Sequence, residues 1–144
     1  MIVYAESSAV VAWLLGEPRA AAVAAELRDA DRVITSALTR AECARAILRG
    51  VSLRRVTKRE AADLMRTYDE AEAGWDELDV SQRVLANAGA PFPVEPVRPL
   101  DAIHLASAHI AHTAFGDVGL LSFDERVRAN ASALGLTALP ARVP

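Results

Sequence analysis

Apolar residues in this chain fall into short unbroken runs, separated by stretches in which they recur every three or four positions. Runs of the first kind read as buried strands and stretches of the second as amphipathic helices. Residues 2–6 form an apolar run closed by Glu6, and Ser7-Ser8 leads straight into a helix-spaced stretch over 9–15, which predicts strand, tight turn, helix. Glu17-Pro18 opens a second, alanine-rich helix to about Asp29, since proline is tolerated in a first helical turn. Residues 33–36 predict a second strand and 39–48 a helix broken at Gly50. Thr57 with Glu60 three residues later has the spacing of a capping box, starting an antiparallel neighbour that runs to about Ala73. Residues 76–80 predict a short strand and 81–88 a short helix ended by Gly89. Pro91, Pro93 and Pro96 force a loop. Pro99 then opens a helix to about His112, 119–122 is a clear strand, 124–134 a helix, and 136–139 a last strand.

Strands that alternate with helices and are apolar on both faces predict a parallel sheet covered on each side, an α/β three-layer α/β/α sandwich. The 144 residues are the size of one ordinary domain, 1–144, and no internal repeat divides them. With 52% hydrophobic and 24% charged residues the chain carries enough apolar surface for a normal core. The lone Cys43 excludes an internal disulfide, and no His or Cys cluster has zinc spacing. The N-terminus lacks the basic segment of a signal peptide, and no apolar stretch is long enough to span a membrane, so the expected location is cytoplasmic.

A net charge of −3 argues against broad affinity for nucleic acid. The average conceals an asymmetry: Arg45, Arg49, Arg54, Arg55, Lys58 and Arg59 lie in one stretch with no Asp or Glu among them. Such a stretch serves RNA phosphates or an acidic partner protein, or is simply a solvated face.

The acids carry the more specific pattern. In an open parallel sheet, ligands bind at the carboxyl ends of the strands. Glu6 ends the first strand, Glu42 lies in the first turns of the helix after the second, Asp124 follows the strand at 119–122, and Asp101 sits at a helix start facing the same edge. Taken singly, each has a plainer use: Glu6, Asp101 and Asp124 as helix-start acids, Glu42 as a partner of Arg45 or Arg49. Taken together, four converging carboxylates repel one another unless a cation compensates, and oxygen ligands of this kind suit Mg²⁺ or Mn²⁺. Phosphodiester hydrolysis is the chemistry such a site would run.

Two segments make the set recognisable: Pro99-Leu100-Asp101-Ala102-Ile103-His104-Leu105-Ala106-Ser107-Ala108 and Leu121-Ser122-Phe123-Asp124-Glu125-Arg126. With the N-terminal strand, acid and serines, they resemble PIN domains over nearly the whole chain, in particular the VapC-type toxin ribonucleases of type II toxin–antitoxin systems. The resemblance implies a metal-dependent endoribonuclease with Glu6, Glu42, Asp101 and Asp124 as the catalytic, metal-binding acids and Ser8 and Ser122 as polar supports. It further implies Mg²⁺ or Mn²⁺ as cofactor, an RNA substrate, a homodimer and a cognate VapB-like antitoxin. The chain departs from the pattern at Glu6, where Asp is usual and the side chain is one methylene longer. His104 reads as a packing residue near Asp101 rather than a general base. That departure keeps open a second reading, a catalytically weak PIN-fold module that binds a partner. A nucleotide-binding domain is disfavoured, since the first strand–helix turn, Tyr4-Ala5-Glu6-Ser7-Ser8, has no glycine and presents an anion.

Overall fold

The computed structural model describes residues 1–142. Its centre is a five-stranded sheet of β1 (Ile2–Ala5), β2 (Arg32–Ser36), β3 (Asp76–Leu78), β4 (Val118–Leu121) and β5 (Thr137–Leu139), ordered β3-β2-β1-β4-β5 and parallel throughout. The expected parallel sheet is borne out. The helices are α1 (Ser7–Leu14), α2 (Ala20–Asp29), α3 (Ala37–Ser52), α4 (Lys58–Glu72), α5 (Gln82–Ala88), α6 (Pro99–Phe115) and α7 (Glu125–Ala131), the last followed by a 3-10 turn at Ser132–Leu134.

Successive strand residues point to opposite faces, and the two sets of side chains make two cores. Tyr4, Ile34 and Leu120 meet Leu105, Ala108 and Ala111 of α6 and Val127 and Ala131 of α7 on one face. Val3, Ala5, Val33 and Leu121 point the other way, Ala5 and Val33 into a cluster with Val10, Leu14, Cys43, Ile47 and Tyr68, Val3 and Leu121 against Ala9 and Val23. Helices α1 to α4 therefore cover one face and α6 and α7 the other, the three layers that the double-faced apolar strands require. Trp13 and Trp75 pack on one another at 6.4 Å between ring centroids, against the α1–α4 side.

Helix α2 starts at Ala20 rather than at Glu17-Pro18, β3 ends at Leu78 rather than at residue 80, and α6 runs to Phe115 rather than His112; the boundary of α3 differs for a reason the packing shows. Helix α3 does not stop at Gly50 but runs to Ser52, and the reversal follows at Arg54, whose φ of 56° is left-handed. A Cβ on Gly50 would stand 2.9 Å from Val56 Cγ2, so the glycine is there to admit the returning chain rather than to end the helix. Helix α4 begins as the sequence predicts: Thr57 Oγ1 accepts from Glu60 N at 3.1 Å, and Thr57 N donates back to Glu60 Oε2 at 2.7 Å. Among the described residues, no helix is long and apolar enough to cross a membrane.

Candidate active site

A parallel sheet sets the carboxyl ends of its strands, and the starts of the helices that follow them, along one edge. Helix α1 starts immediately after β1 and α3 immediately after β2, so Glu6 and Glu42 come to this edge. Helix α6 ends three residues before β4 begins and must run antiparallel to it, which brings its first turn, with Asp101, to the same edge. Asp124 follows β4 directly. Glu6, Glu42, Asp101 and Asp124 line one cleft of about 250 Å³ together with Ser7, Ser8, Val11 and Arg98.

Each acid is held by its own partners. The Glu6 carboxylate is buried and accepts from Ser7 Oγ at 2.8 Å, Ser8 N at 3.0 Å, Ser8 Oγ, and Ser122 Oγ at 2.8 Å. Bonding to Ser8 N makes Glu6 the cap of α1, so the plainer use and membership of the cleft hold at once. Ser8 and Ser122 both bond the Glu6 carboxylate, and Phe123 N donates to Ser8 Oγ and Asp124 N to Ser122 Oγ, which ties the first strand–helix turn to the one after β4. Asp124 divides its carboxylate, Oδ1 accepting from Arg126 N and Val127 N as the cap of α7 while Oδ2 faces the cleft.

Glu42 pairs neither with Arg45 nor with Arg49. Its Oε2 lies 2.6 Å from Nε2 of His104, whose Nδ1 is 3.0 Å from the hydroxyl of Tyr4. Tyr4 and His104 are wholly buried, and burial pushes the Tyr4 phenol far above its ordinary range, so it stays protonated. The Glu42 carboxylate accepts from Nε2–H, and the Tyr4 hydroxyl pairs with Nδ1 on the other side of the ring. His104 is thus a buried structural residue as expected, but it orients Glu42 and not Asp101. Tyr4 was absent from the candidate residues, its place in an apolar strand giving no sign of this contact.

Arg98 was missed as well, and it is the cation of this site. Its Nε donates to Asp101 Oδ2 and its Nη2 to Asp124 Oδ2, both at 2.7 Å. The hydrogen bond to Asp101, with the negative charges of Asp101 and Asp124, raises its hold on its proton. The signal available was an arginine immediately before Pro99, three residues from Asp101. Among the described residues, no three His, Cys, Asp or Glu side chains come together closely enough to hold a metal as they stand. The donors are nonetheless all carboxylate oxygens on one cleft, the chemistry that a hard divalent ion takes, and the guanidinium stands between two of them.

The basic stretch lies elsewhere. Arg45, Arg49, Arg54, Arg55, Lys58 and Arg59 are all exposed. Arg45 and Arg49 border one shallow groove along α3, and Arg49 and Arg55 border a second whose floor includes Val11, Leu15, Leu53 and Val56. None of the six lines the acidic cleft.

The PIN domain profile matches residues 3–132. Over 138 residues, 95% of each chain, the sequence is 38% identical to Ribonuclease VapC46 of Mycobacterium tuberculosis. It is 34% identical over 137 residues to Ribonuclease VapC35 of the same organism, covering 94% of this chain and 93% of that one. The crystal structure of Mycobacterium tuberculosis VapC20, described as a sarcin–ricin loop cleaving toxin, aligns with a TM-score of 0.62 over 94% of this chain and 96% of the other; at 15% identity the likeness is one of fold. The chain belongs to the PIN-domain family, among the VapC ribonucleases.

Proposed function

We propose that this protein is an endoribonuclease toxin of the VapC type, hydrolysing RNA phosphodiester bonds with Mg²⁺ or Mn²⁺ and neutralised by a cognate VapB-like antitoxin. The observation that carries the reading is the gathering of four carboxylates from four separate segments on one cleft, which a purely structural domain has little physical reason to assemble. Glu6, Glu42, Asp101 and Asp124 would hold the ion. Bound there, Mg²⁺ or Mn²⁺ supplies Lewis-acid stabilisation of the phosphodiester charge and activates a water. The chain's own part is positioning. The serines fix Glu6, His104 fixes Glu42, and both aspartates lie at helix starts, so little reorganisation remains when substrate arrives.

The basic stretch at Arg45–Arg59 takes RNA or the antitoxin, and the cytoplasm, where the substrate is, is the place of action. A homodimer is the proposed assembly, the whole chain acting as one domain in each copy; exposed Leu85 and Leu100 on the packed helices α5 and α6 give it apolar surface. The test is cleavage of a mixed RNA pool by purified protein with Mg²⁺ or Mn²⁺, with EDTA, and with Asp101→Asn. Cleavage is expected only with metal, and Asp101→Asn should lower it by at least about a hundredfold while leaving the fold intact, since one of four crowded charges is removed. The second reading, a catalytically weak partner-binding module, is favoured by one observation, the neutralisation of Asp101 and Asp124 by Arg98. Absence of cleavage under every metal would put that reading first.

A further inference from the structure

Arg98 holds the two aspartates that the proposed metal would need. Among the described residues, nothing else in the cleft is positively charged: the remaining lining is Glu6, Ser7, Ser8, Val11 and Glu42. The two carboxylates are largely covered, at 11% and 21% side-chain exposure, whereas Arg98 is 62% exposed and reaches them from the solvent side. Its backbone is fixed by Pro99 behind it at the start of α6. The side chain itself is bound only at its tip, so it can swing outward without disturbing the helix.

We infer that Arg98 is a tethered stand-in for the divalent ion: it bridges Asp101 and Asp124 while the metal is absent and gives way when the metal enters. The inference rests on the metal-dependent reading above and adds to it a competitor built into the chain. Without Arg98 the metal-free cleft would contain four acids and no cation, a costly arrangement. With it, the fold tolerates the empty state, but the incoming ion must displace two hydrogen-bonded ion pairs. Each pair is partly screened by water, so the competition is modest and metal wins at sufficient concentration.

The test compares Mn²⁺ binding, by calorimetry or by the spin resonance of free Mn²⁺, in the wild type, Arg98→Gln and Arg126→Gln. Arg126 is the control because it removes a charge two residues from Asp124, yet its guanidinium bonds to the carbonyl of Pro96 and, among the described residues, to no acid. Arg98→Gln should tighten Mn²⁺ binding by about three- to tenfold, with a clearly smaller change for Arg126→Gln. In EDTA, Arg98→Gln should melt below the wild type, and its melting temperature should rise further on adding Mn²⁺. Equal or weaker Mn²⁺ binding in Arg98→Gln overturns the inference and makes Arg98 a fixed buttress of the acids. Equal tightening in both variants also overturns it, reducing the effect to the general field of the rim. If neither variant nor wild type takes up Mn²⁺, the metal reading itself fails and this one with it.

Discussion

Four donors converge on the Glu6 carboxylate, and Ser122 is the one among them that reaches it from the far side of the chain. The Ser122 hydroxyl is wholly buried, donates to Glu6 and accepts from Asp124 N, so its removal takes one of the two hydroxyl donors from Glu6 Oε2, leaving Ser8 Oγ, and deprives the Asp124 backbone donor of its acceptor. Ser122→Ala is expected to destabilise the fold by about 1–3 kcal/mol and to lower RNA cleavage, read by urea unfolding and turnover. An unchanged unfolding midpoint would show that water replaces the hydroxyl at no cost. The longer Glu6 side chain belongs at this scale too. The departure from the usual Asp is legible in the sequence, and the resemblance names Ser8 and Ser122 as supports; the bond from Ser7, and the convergence of all three on one carboxylate with the third 116 residues away, are not. His104 shows the same limit. Its burial follows from an apolar helix, but its bond to Glu42 spans 62 residues of sequence and depends on two helices from opposite layers meeting at the sheet edge.

Elements were legible where a local rule fixed them. The capping box of α4 needs only Thr57 and Glu60, and both of its hydrogen bonds form. Thr57→Ala removes the acceptor for Glu60 N and should cost about 1 kcal/mol without touching the acidic cleft; chemical denaturation with an unaltered cleavage rate is the expected pair of results. The apolar runs of β1, β2 and β4 were equally plain, because a strand buried on both faces leaves no polar alternation to misread. Helix α3 defeated a local rule. Glycine inside a helix costs about 1 kcal/mol against alanine, which reads as a stop. Here the close approach of Val56, a contact made only after the chain has turned at Arg54, outweighs that preference. Arg98 escaped notice for a related reason: its nearer partner is three residues away, but its second, Asp124, lies across the cleft after β4.

At the scale of the whole molecule, the four candidate site acids and the basic stretch occupy different regions. The acids face one cleft at the sheet edge while the arginines and lysine of 45–59 are exposed around the α3–α4 turn. A net charge of −3 conceals that division. If the basic region meets RNA, Arg54→Ala with Arg55→Ala should weaken binding and make its salt dependence shallower by about 0.7 in log–log slope for each arginine on a phosphate. An unaltered slope, measured between low and physiological salt, would assign the region to a protein partner or to solvent. The sheet order has its own consequence. The first strand made, β1, is central, and its partner on one side, β4, ends at Leu121. During synthesis β1 can pair with β2 early, but its other edge stays open until Val118–Leu121 has been made, and Asp124 comes later still. A growing chain therefore lacks the last of the four candidate acids until β4 has been made, and the acidic cleft cannot assemble before the strand that completes β1's second edge is available.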